Sequence, residues 1–177
     1  MMHRISIMYS WLVRVITFFL PNHPFFMRFR GFLYSLMMNK CGGNFQVAAD
    51  VIFNSLSGKT VGNNVYRAPG NIFIGTEFII EDDVIIGPNS VFSGGNHQFD
   101  GKSFRYAPSL TFGPVIISRG SWVAANCTVT SGAVLPPMSI LAAGAVLTRK
   151  MAIEKMVYGG IPAKPISAIK MIGTDKL

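Results

Sequence analysis

Bulky apolar side chains recur every sixth residue along two stretches of this 177-residue chain. In order, they are Ile74, Ile80, Ile86, Phe92, Ile117, Val123, Val129, Leu135 and Leu141. Four positions after most of them stands a small or β-branched residue: Val84, Ser90, Ser121, Cys127, Ala133, Ser139 and Ala145. A period of six belongs to neither an α-helix nor an ordinary strand. It is the period of a coil with three flat sides.

This repeat predicts an all-β solenoid in which each coil stacks on the next. The apolar residue of each side points into the prism, and the small residue lies near a corner, where a large side chain does not fit. Weaker copies begin at Val47 and Val61. A β-sandwich with accidentally regular spacing is the alternative, and nine matches in two unbroken registers argue against it.

The composition agrees with a folded domain, because 50% of the residues are hydrophobic and only 14% are charged. The two cysteines, Cys41 and Cys127, make no disulfide framework, which fits a reducing compartment. The net charge of +8 is concentrated at the two ends of the chain. Basic ends suit an anionic surface or a phosphorylated ligand. No module with interleaved basic and aromatic residues indicates nucleic-acid binding.

The N-terminal segment is apolar but too short to span a bilayer. The run from Ile5 to Leu20 has Arg14 near its centre, and a second apolar stretch covers Phe25 to Met38. No small-residue cleavage site of a signal peptide follows the first run. We expect two short helices. They either pack as a cap on the solenoid or a neighbouring subunit, or residues 1–38 lie on the inner membrane surface near a lipid-linked substrate.

The repeat fails between Phe92 and Ile117, which predicts an excursion over residues 93–114. Loops that interrupt a regular scaffold commonly carry function. The excursion contains His97, the only histidine after the first 23 residues. A neutral imidazole can remove a proton from a hydroxyl or amine near pH 7. The alternative is a surface histidine without a role.

The motifs around His97 resemble those of the hexapeptide-repeat acyltransferases, a family of left-handed parallel β-helices. Gly95-Asn96-His97 with Asp100-Gly101 resembles the catalytic loop of xenobiotic acetyltransferases. Ile86-Gly87-Pro88-Asn89 and its distance to the histidine are similar to those of galactoside and maltose acetyltransferases. The resemblance implies that His97 is the general base and that Asn96 and Asp100 contact the acceptor. An Asx-type turn is the alternative role of Asp100, and a strained turn that of Asn96.

The same resemblance implies a binding side for acetyl-CoA. In the family, a tryptophan at the place of Trp122 lines the pantetheine tunnel, and a backbone N–H near Ala125 can polarise the thioester. The stretch from Ala142 to Arg149 and the closing motif Gly160-Ile161-Pro162-Ala163-Lys164 resemble regions that contact CoA. The predicted cofactor-binding residues are Trp122, Ala125, Ala143, Thr148, Arg149 and Lys164. A tryptophan packed between coils and a solvated basic tail are the alternatives.

We therefore predict a left-handed β-helix over residues 46–166, preceded by a helical segment at 1–45 and followed by a tail at 167–177. A short C-terminal helix is expected from Ile166 to Met171. The family's active site lies between subunits, so a homotrimer is expected. A cytoplasmic location is expected, either free or at the inner face of the membrane.

The resemblance favours transfer of an acetyl group from acetyl-CoA to a sugar hydroxyl during assembly of a bacterial surface polysaccharide. A xenobiotic acetyltransferase and a nucleotide-amino-sugar N-acetyltransferase are the alternative enzymes. No metal is expected, because a γ-type carbonic anhydrase needs three zinc-binding histidines and the repeat region has one. A scaffold that only binds a partner would not need His97, Trp122 and the closing motif together.

Overall fold

Three β-sheets, parallel except for one C-terminal strand, form the sides of a triangular prism in this computed structural model. The structure describes residues 2–75, 77–105, 109–110 and 113–170. The chain passes through one strand of each sheet in turn, so that each sheet is one face of the prism. This arrangement is the three-sided coil that the six-residue period predicts.

The three faces are named A, B and C in the order in which the chain visits them. Face A consists of β1 (Lys40–Cys41), β4 (Lys59–Val61), β7 (Phe78–Ile80), β12 (Val115–Ile117) and β15 (Val134–Leu135). Face B consists of β2 (Gln46–Val47), β5 (Tyr66–Arg67), β8 (Ile85–Ile86), β13 (Trp122–Val123), β16 (Ile140–Leu141), β18 (Met156–Gly159) and β19 (Lys164–Ala168). Face C consists of β3 (Ile52–Phe53), β6 (Ile72–Ile74), β9 (Val91–Ser93), β14 (Thr128–Thr130) and β17 (Val146–Leu147).

The interior is filled by inward side chains that stack in columns from coil to coil. The column of face B contains Val47, Arg67, Ile86, Val123, Leu141 and Tyr158, and each is buried. The small residues that follow the repeat positions are buried as well. One predicted repeat position is wrong, because Ile74 is 48% exposed and Phe73 occupies the interior. The segment between Phe73 and Ile80 is one residue longer than the period, which shifts the register.

Asparagine and aspartate shape the corners of the early coils. Asn44, Asn64 and Asp83 have positive φ angles, which these short polar side chains tolerate better than most. The side chains also connect the coils, since Asn44 Nδ2 donates to Asn64 Oδ1 (3.1 Å) and Asn64 Nδ2 donates to Asp83 Oδ1 (2.9 Å). The corners therefore reinforce the backbone hydrogen bonds between neighbouring coils.

Two helices, α1 (Met2–Thr17) and α2 (Pro24–Ser35), cover the N-terminal end of the solenoid. Ser10 Oγ of α1 donates to the Phe53 carbonyl (2.8 Å), and Arg30 of α2 donates to the Val47 carbonyl (3.2 Å). The expectation of two short helices is confirmed. Their inner sides cover strands of the first coil, which would otherwise present an open sheet edge.

The C-terminal end turns back on itself. Strand β19 runs antiparallel to β18, with Lys164 opposite Gly159 and Ala168 opposite Met156. The predicted C-terminal helix is therefore wrong for residues 166–168, which belong to β19. The free edge of β18 offers unpaired backbone groups, and pairing with the tail satisfies them. Met171, where that helix was expected to end, lies outside the described residues, as do residues 172–177.

Candidate active site

The excursion leaves the prism at the end of β9 and opens with an antiparallel hairpin. In this hairpin β10 (Asn96–His97) pairs with β11 (Ser109–Leu110). Two glycines permit the departure. Gly94 N donates to the Ile74 carbonyl (2.7 Å), and a Cβ on Gly75 would lie only 3.0 Å from the backbone of Gly94. A side chain at Gly75 would also be strained, because φ is +103°.

His97 lies on the first strand of this hairpin, opposite Ser109. Its side chain is exposed, whereas Asn96 beside it is half-buried. A hairpin strand holds the imidazole in a defined direction better than an irregular loop would. The arrangement presents an accessible imidazole outside the stacked coils.

Asp100 forms a local turn immediately after the hairpin strand. Its Oδ1 accepts hydrogen bonds from Ser103 N (2.7 Å) and Lys102 N (2.8 Å). These two backbone donors hold the pKa of the Asp100 carboxyl below its usual range. The geometry is that of the Asx-type turn, in which the side chain replaces a backbone acceptor. Contact of Asp100 or Asn96 with an acceptor stays a prediction.

Trp122 lies on the outer surface of face B, 47% exposed. Its neighbours across the sheet are Ile85 on β8 and Ile140 on β16. Together the three side chains form an apolar strip that crosses three coils. Such a strip suits the alkyl and amide groups of a pantetheine arm better than it suits a charged ligand.

Ala125 and Ala143 lie one coil apart on the edge between faces B and C. Gly144 N donates to the Ala125 carbonyl (2.9 Å), which joins the two turns. In the coil on the other side, a Cβ on Gly87 would lie 2.8 Å from the backbone of Ala124. Ala125 and Ala143 carry only methyl side chains, so a ligand can approach the backbone of these two turns closely.

The predicted phosphate-binding residues lie farther along the solenoid. Thr148 and Arg149 are exposed on the edge between faces C and A, immediately after β17. Lys164 begins β19, and its side chain is also exposed. Ala163 of the closing motif is buried, and its N–H donates to the Val146 carbonyl (2.8 Å). The motif therefore fixes the position from which Lys164 projects.

His97 and the predicted pantetheine-binding residues lie on different edges of one chain, whereas Thr148 and Arg149 lie on the same edge as His97. His97, with its hairpin, projects from the edge between faces C and A in the third coil. Trp122 lies on face B, and Ala125 and Ala143 lie on the B–C edge. Face C separates the two groups. The structure of one chain thus contains a candidate base and a candidate cofactor surface that do not share one cleft.

A polar groove on the third edge, between faces A and B, was not anticipated. It has a volume of about 300 Å³, and its lining includes Lys40, Glu81, Asp82 and Arg119. Arg119 N donates to Glu81 Oε2 (2.8 Å), which connects two coils. The charged residues come from separate repeats, so only their placement on the prism would have brought them together. Among the described residues, no group of three or more His, Cys, Asp or Glu side chains is arranged to hold a metal ion.

Comparison with known proteins gives a consistent result. No family model matches the chain. The galactoside O-acetyltransferase of Escherichia coli K12 is 26% identical over 150 residues, which are 84% of this chain and 72% of that protein. A structure of galactoside acetyltransferase with coenzyme A superposes with a TM-score of 0.81 at 21% identity, covering 94% of this chain and 82% of the other. The chain has the fold of the hexapeptide-repeat acetyltransferases.

A second solved structure is that of a hexapeptide-repeat acetyltransferase. A hexapeptide-repeat acetyltransferase of Vibrio cholerae, in complex with acetyl-CoA, superposes with a TM-score of 0.71 at 16% identity, covering 95% of this chain and 89% of that one. The predicted left-handed parallel β-helix and the resemblance to hexapeptide-repeat acetyltransferases are both confirmed. The similarity in sequence supports the predicted class of enzyme, an acetyl-CoA-dependent acetyltransferase.

Proposed function

We propose that this protein transfers an acetyl group from acetyl-CoA to a sugar hydroxyl, with His97 as the general base. The observation that carries the proposal is the placement of His97. The longest interruption of the repeat carries an exposed imidazole on the strand of a hairpin. The 26% identity with a galactoside O-acetyltransferase over 84% of the chain supports the choice of a sugar acceptor.

In the proposed reaction, His97 removes the proton from the acceptor hydroxyl as its oxygen attacks the thioester carbonyl carbon. The carbon–sulfur bond then breaks, and the imidazolium of His97 returns the proton to the departing sulfur. The thioester is already activated, so the protein needs no nucleophile of its own. General-base assistance of this kind typically contributes about 10²–10⁴-fold to the rate.

The cofactor side of the proposal uses the two alanine turns and the basic end of the solenoid. Trp122 packs against the pantetheine arm, and the narrow edge at Ala125 and Ala143 admits its amide groups close to the backbone. Thr148 and Arg149 contact the nucleotide end, and Lys164 supplies a point charge for a phosphate. The exposure of these side chains supports their availability to a ligand.

A homotrimer would join the two groups of site residues. His97 and the surface around Trp122 lie on opposite sides of face C, so one chain does not assemble them. Around a closed threefold ring, one edge of each copy faces a different edge of the next. We therefore propose that each site takes His97 from one copy and Trp122 from its neighbour.

The biological setting proposed is a cytoplasmic step in the assembly of a surface polysaccharide. Acetyl-CoA is a cytoplasmic metabolite, and Trp122 comes only 25 positions after His97. The short excursion favours this setting over xenobiotic acetylation, for which a longer excursion is expected. A nucleotide-linked amino sugar is the second acceptor to test, since the same base would also deprotonate an amine.

The test of the base is release of free CoA thiol with galactosides, nucleotide sugars and polysaccharide repeats as acceptors. We expect His97→Ala to lower kcat by at least about 10²-fold. Gln98→Ala, the adjacent change on the same hairpin, is the matched control and should retain most activity. Turnover of His97→Ala close to that of the unaltered protein would remove His97 from the mechanism.

The test of the shared site is complementation between two inactive variants. His97→Ala and Trp122→Ala chains are mixed in equal amounts, unfolded, and then refolded together so that oligomers containing both variants form. If each site draws the two residues from different copies, about a quarter of the sites in a random mixture regain both. Activity that stays at the level of the separate variants would contradict the proposal of a site between copies.

A further inference from the structure

The packing of α1 is inverted relative to a normal surface helix. The most buried residues of α1 are small or β-branched: Ser6, Ser10, Val13 and Thr17 are each at most 5% exposed. Ser6 Oγ lies 2.8 Å from Ser55 Oγ, so this inner face is held partly by hydrogen bonds. Surface helices usually turn their bulky apolar residues toward the core.

The bulky apolar residues of α1 are on the outside instead. They are exposed by 42–72% and follow a helical spacing: Ile5, Met8, Trp11, Leu12, Val15 and Ile16. Phe19, two residues after the end of α1, is 89% exposed. A shallow apolar groove of about 680 Å³ lies among Ile5, Met8, Trp11 and Leu12. A patch of this kind is uncommon on a soluble monomer and indicates an interaction surface.

The second helix packs apolar side chains into the core and exposes further apolar side chains outward. Its inner face buries Met27, Gly31, Tyr34 and the charged Arg30, whose guanidinium donates to the carbonyls of Thr17, Leu20 and Pro21. Its outer face exposes Phe25, Phe29 and Phe32 by 45–67%, and Leu36 at the C-cap is 61% exposed. Both helices thus combine polar and apolar contacts on their inner sides and present aromatic and aliphatic side chains outward.

The charge of this cap is of one sign. Residues 1–49 contain no aspartate or glutamate, and they contain four arginines and one lysine. Arg4 and Arg28 are exposed, and Arg14 is half-buried beside the outward residues of α1. An apolar face bordered by basic side chains complements an anionic lipid surface.

We propose that α1 and α2 form a monotopic membrane anchor that lies in the plane of an anionic bilayer. α1 has 16 residues and is therefore about 24 Å long. No helix among the described residues is long and apolar enough to cross a membrane. The cap thus closes the solenoid on its inner side and inserts Trp11, Leu12 and Phe19 among the lipids on its outer side.

A second copy of the chain fits this face less well. Two copies that met through it would bring basic side chains together, with no acidic partner in residues 1–49 of either copy. Like charges at an interface oppose association. The anchor does not depend on acetyl transfer, so an inactive protein that still binds lipid would affect only the proposed function.

The experiment measures binding of the full-length protein to vesicles of phosphatidylglycerol and phosphatidylcholine by co-sedimentation. The outward variant is Leu12→Gln/Phe19→Gln, and its matched control is Ile153→Gln/Ile166→Gln, two exposed isoleucines far along the chain. We expect the outward variant to lower the partition coefficient by at least about tenfold, and the control to change it by less than about twofold. Raising NaCl to about 0.5 M or using phosphatidylcholine alone should weaken binding, since screening and lipid charge both act on the arginines.

Fluorescence gives a second measurement. Trp122→Phe leaves Trp11 as the sole tryptophan, and its emission should shift to the blue on addition of anionic vesicles. Equal binding by the outward variant and the unaltered protein would overturn the proposal. So would a loss of oligomeric mass in the outward variant, measured by light scattering, together with an unaltered protein that does not bind vesicles. That result would show that the face joins copies of the chain.

Discussion

The early and late coils of the solenoid fill the same interior with different chemistry. In the coils formed by residues 115–147, the inward column of face B is purely aliphatic, with Val123 and Leu141. In the coil of residues 59–74, the same column contains Arg67, which is completely buried. The fold requires an inward side chain of suitable volume at each position, and it accepts a cation where the surroundings compensate for it.

Aromatic rings provide that compensation in the early coils. The guanidinium carbon of Arg67 lies 3.9 Å from the ring centre of Phe73 and 4.9 Å from that of Phe53. No described group accepts a hydrogen bond from its three side-chain nitrogens. Desolvation lowers the pKa of Arg67 to about 9 and that of nearby Lys59 to about 7. The early coils should therefore be the less stable part of the solenoid.

The largest effect is expected in the aliphatic coils. Leu141→Ala leaves a cavity in a close-packed column, so the free energy of unfolding should fall by about 2–5 kcal/mol. Urea denaturation measures the change. Ile140→Ala, the outward neighbour, is the control and should cost clearly less. Equal costs at both positions would mean that the column is not tightly packed.

At Arg67, the charged position of the same column, we expect a substitution to raise the free energy of unfolding and not to lower it. Arg67→Met removes three buried donors that lack acceptors, and the free energy of unfolding should rise by about 1–4 kcal/mol. Arg28→Met, at an exposed arginine, should change it by less than about 0.5 kcal/mol. Destabilisation by Arg67→Met would show that the interactions with the rings outweigh the desolvation of the charge.

Lys59 allows the comparison between early and late coils to be tested by a change of pH. Burial lowers its pKa from 10.5 to about 7, and Nζ donates to the Gly75 carbonyl (3.0 Å). Above pH 7 the folded chain releases this proton while the unfolded chain keeps it until about pH 10.5. The stability of the unaltered protein relative to Lys59→Met should therefore rise by about 1–2 kcal/mol between pH 7 and 8.5. If the difference in free energy of unfolding between the two proteins stays constant over this pH range, the pKa of Lys59 is not lowered.

The smallest effect concerns the proposed phosphate contact at the end of the solenoid. Lys164→Glu should raise the KM for acetyl-CoA by about three- to tenfold and leave kcat nearly unchanged, because an exposed charge contributes only about 1 kcal/mol to binding. Lys170→Glu is the control for net charge. An unchanged KM would return Lys164 to the role of a solvated surface residue.

The six-residue period predicts the architecture because each coil repeats the same local rule. Ile80, Ile86, Val123 and Leu135 are buried as that rule requires. Arg67 also follows the rule, since it comes six residues after Val61. Because arginine is charged, the sequence alone does not indicate that this side chain points inward. The rule fails where one extra residue precedes Ile80. It also gives no account of the C-terminal tail, whose strand depends on pairing with β18.

The candidate site was predictable in its parts and not in its arrangement. His97 is found by the break in the period, and the small residues at Ala125 and Ala143 follow from the turns. Their separation by face C depends on which side of the prism each strand occupies. The inverted packing of α1 was also hidden, because the sequence of α1 is apolar on most sides, and only burial distinguishes Ser10 from Trp11.

The antiparallel pairing of β18 with β19 has a consequence for the length of the molecule. A parallel coil is a template on which a further coil can grow, within one chain or from another. Strand β19 covers the edge of β18 with a strand of opposite direction, so a further parallel coil would have no parallel neighbour on face B. One coil here corresponds to 18 residues, the spacing between Val123 and its neighbour Leu141. Whole coils could therefore be inserted or removed between the helical cap and the reversed strand. The length of the solenoid would then change in steps of one coil, with both ends unchanged.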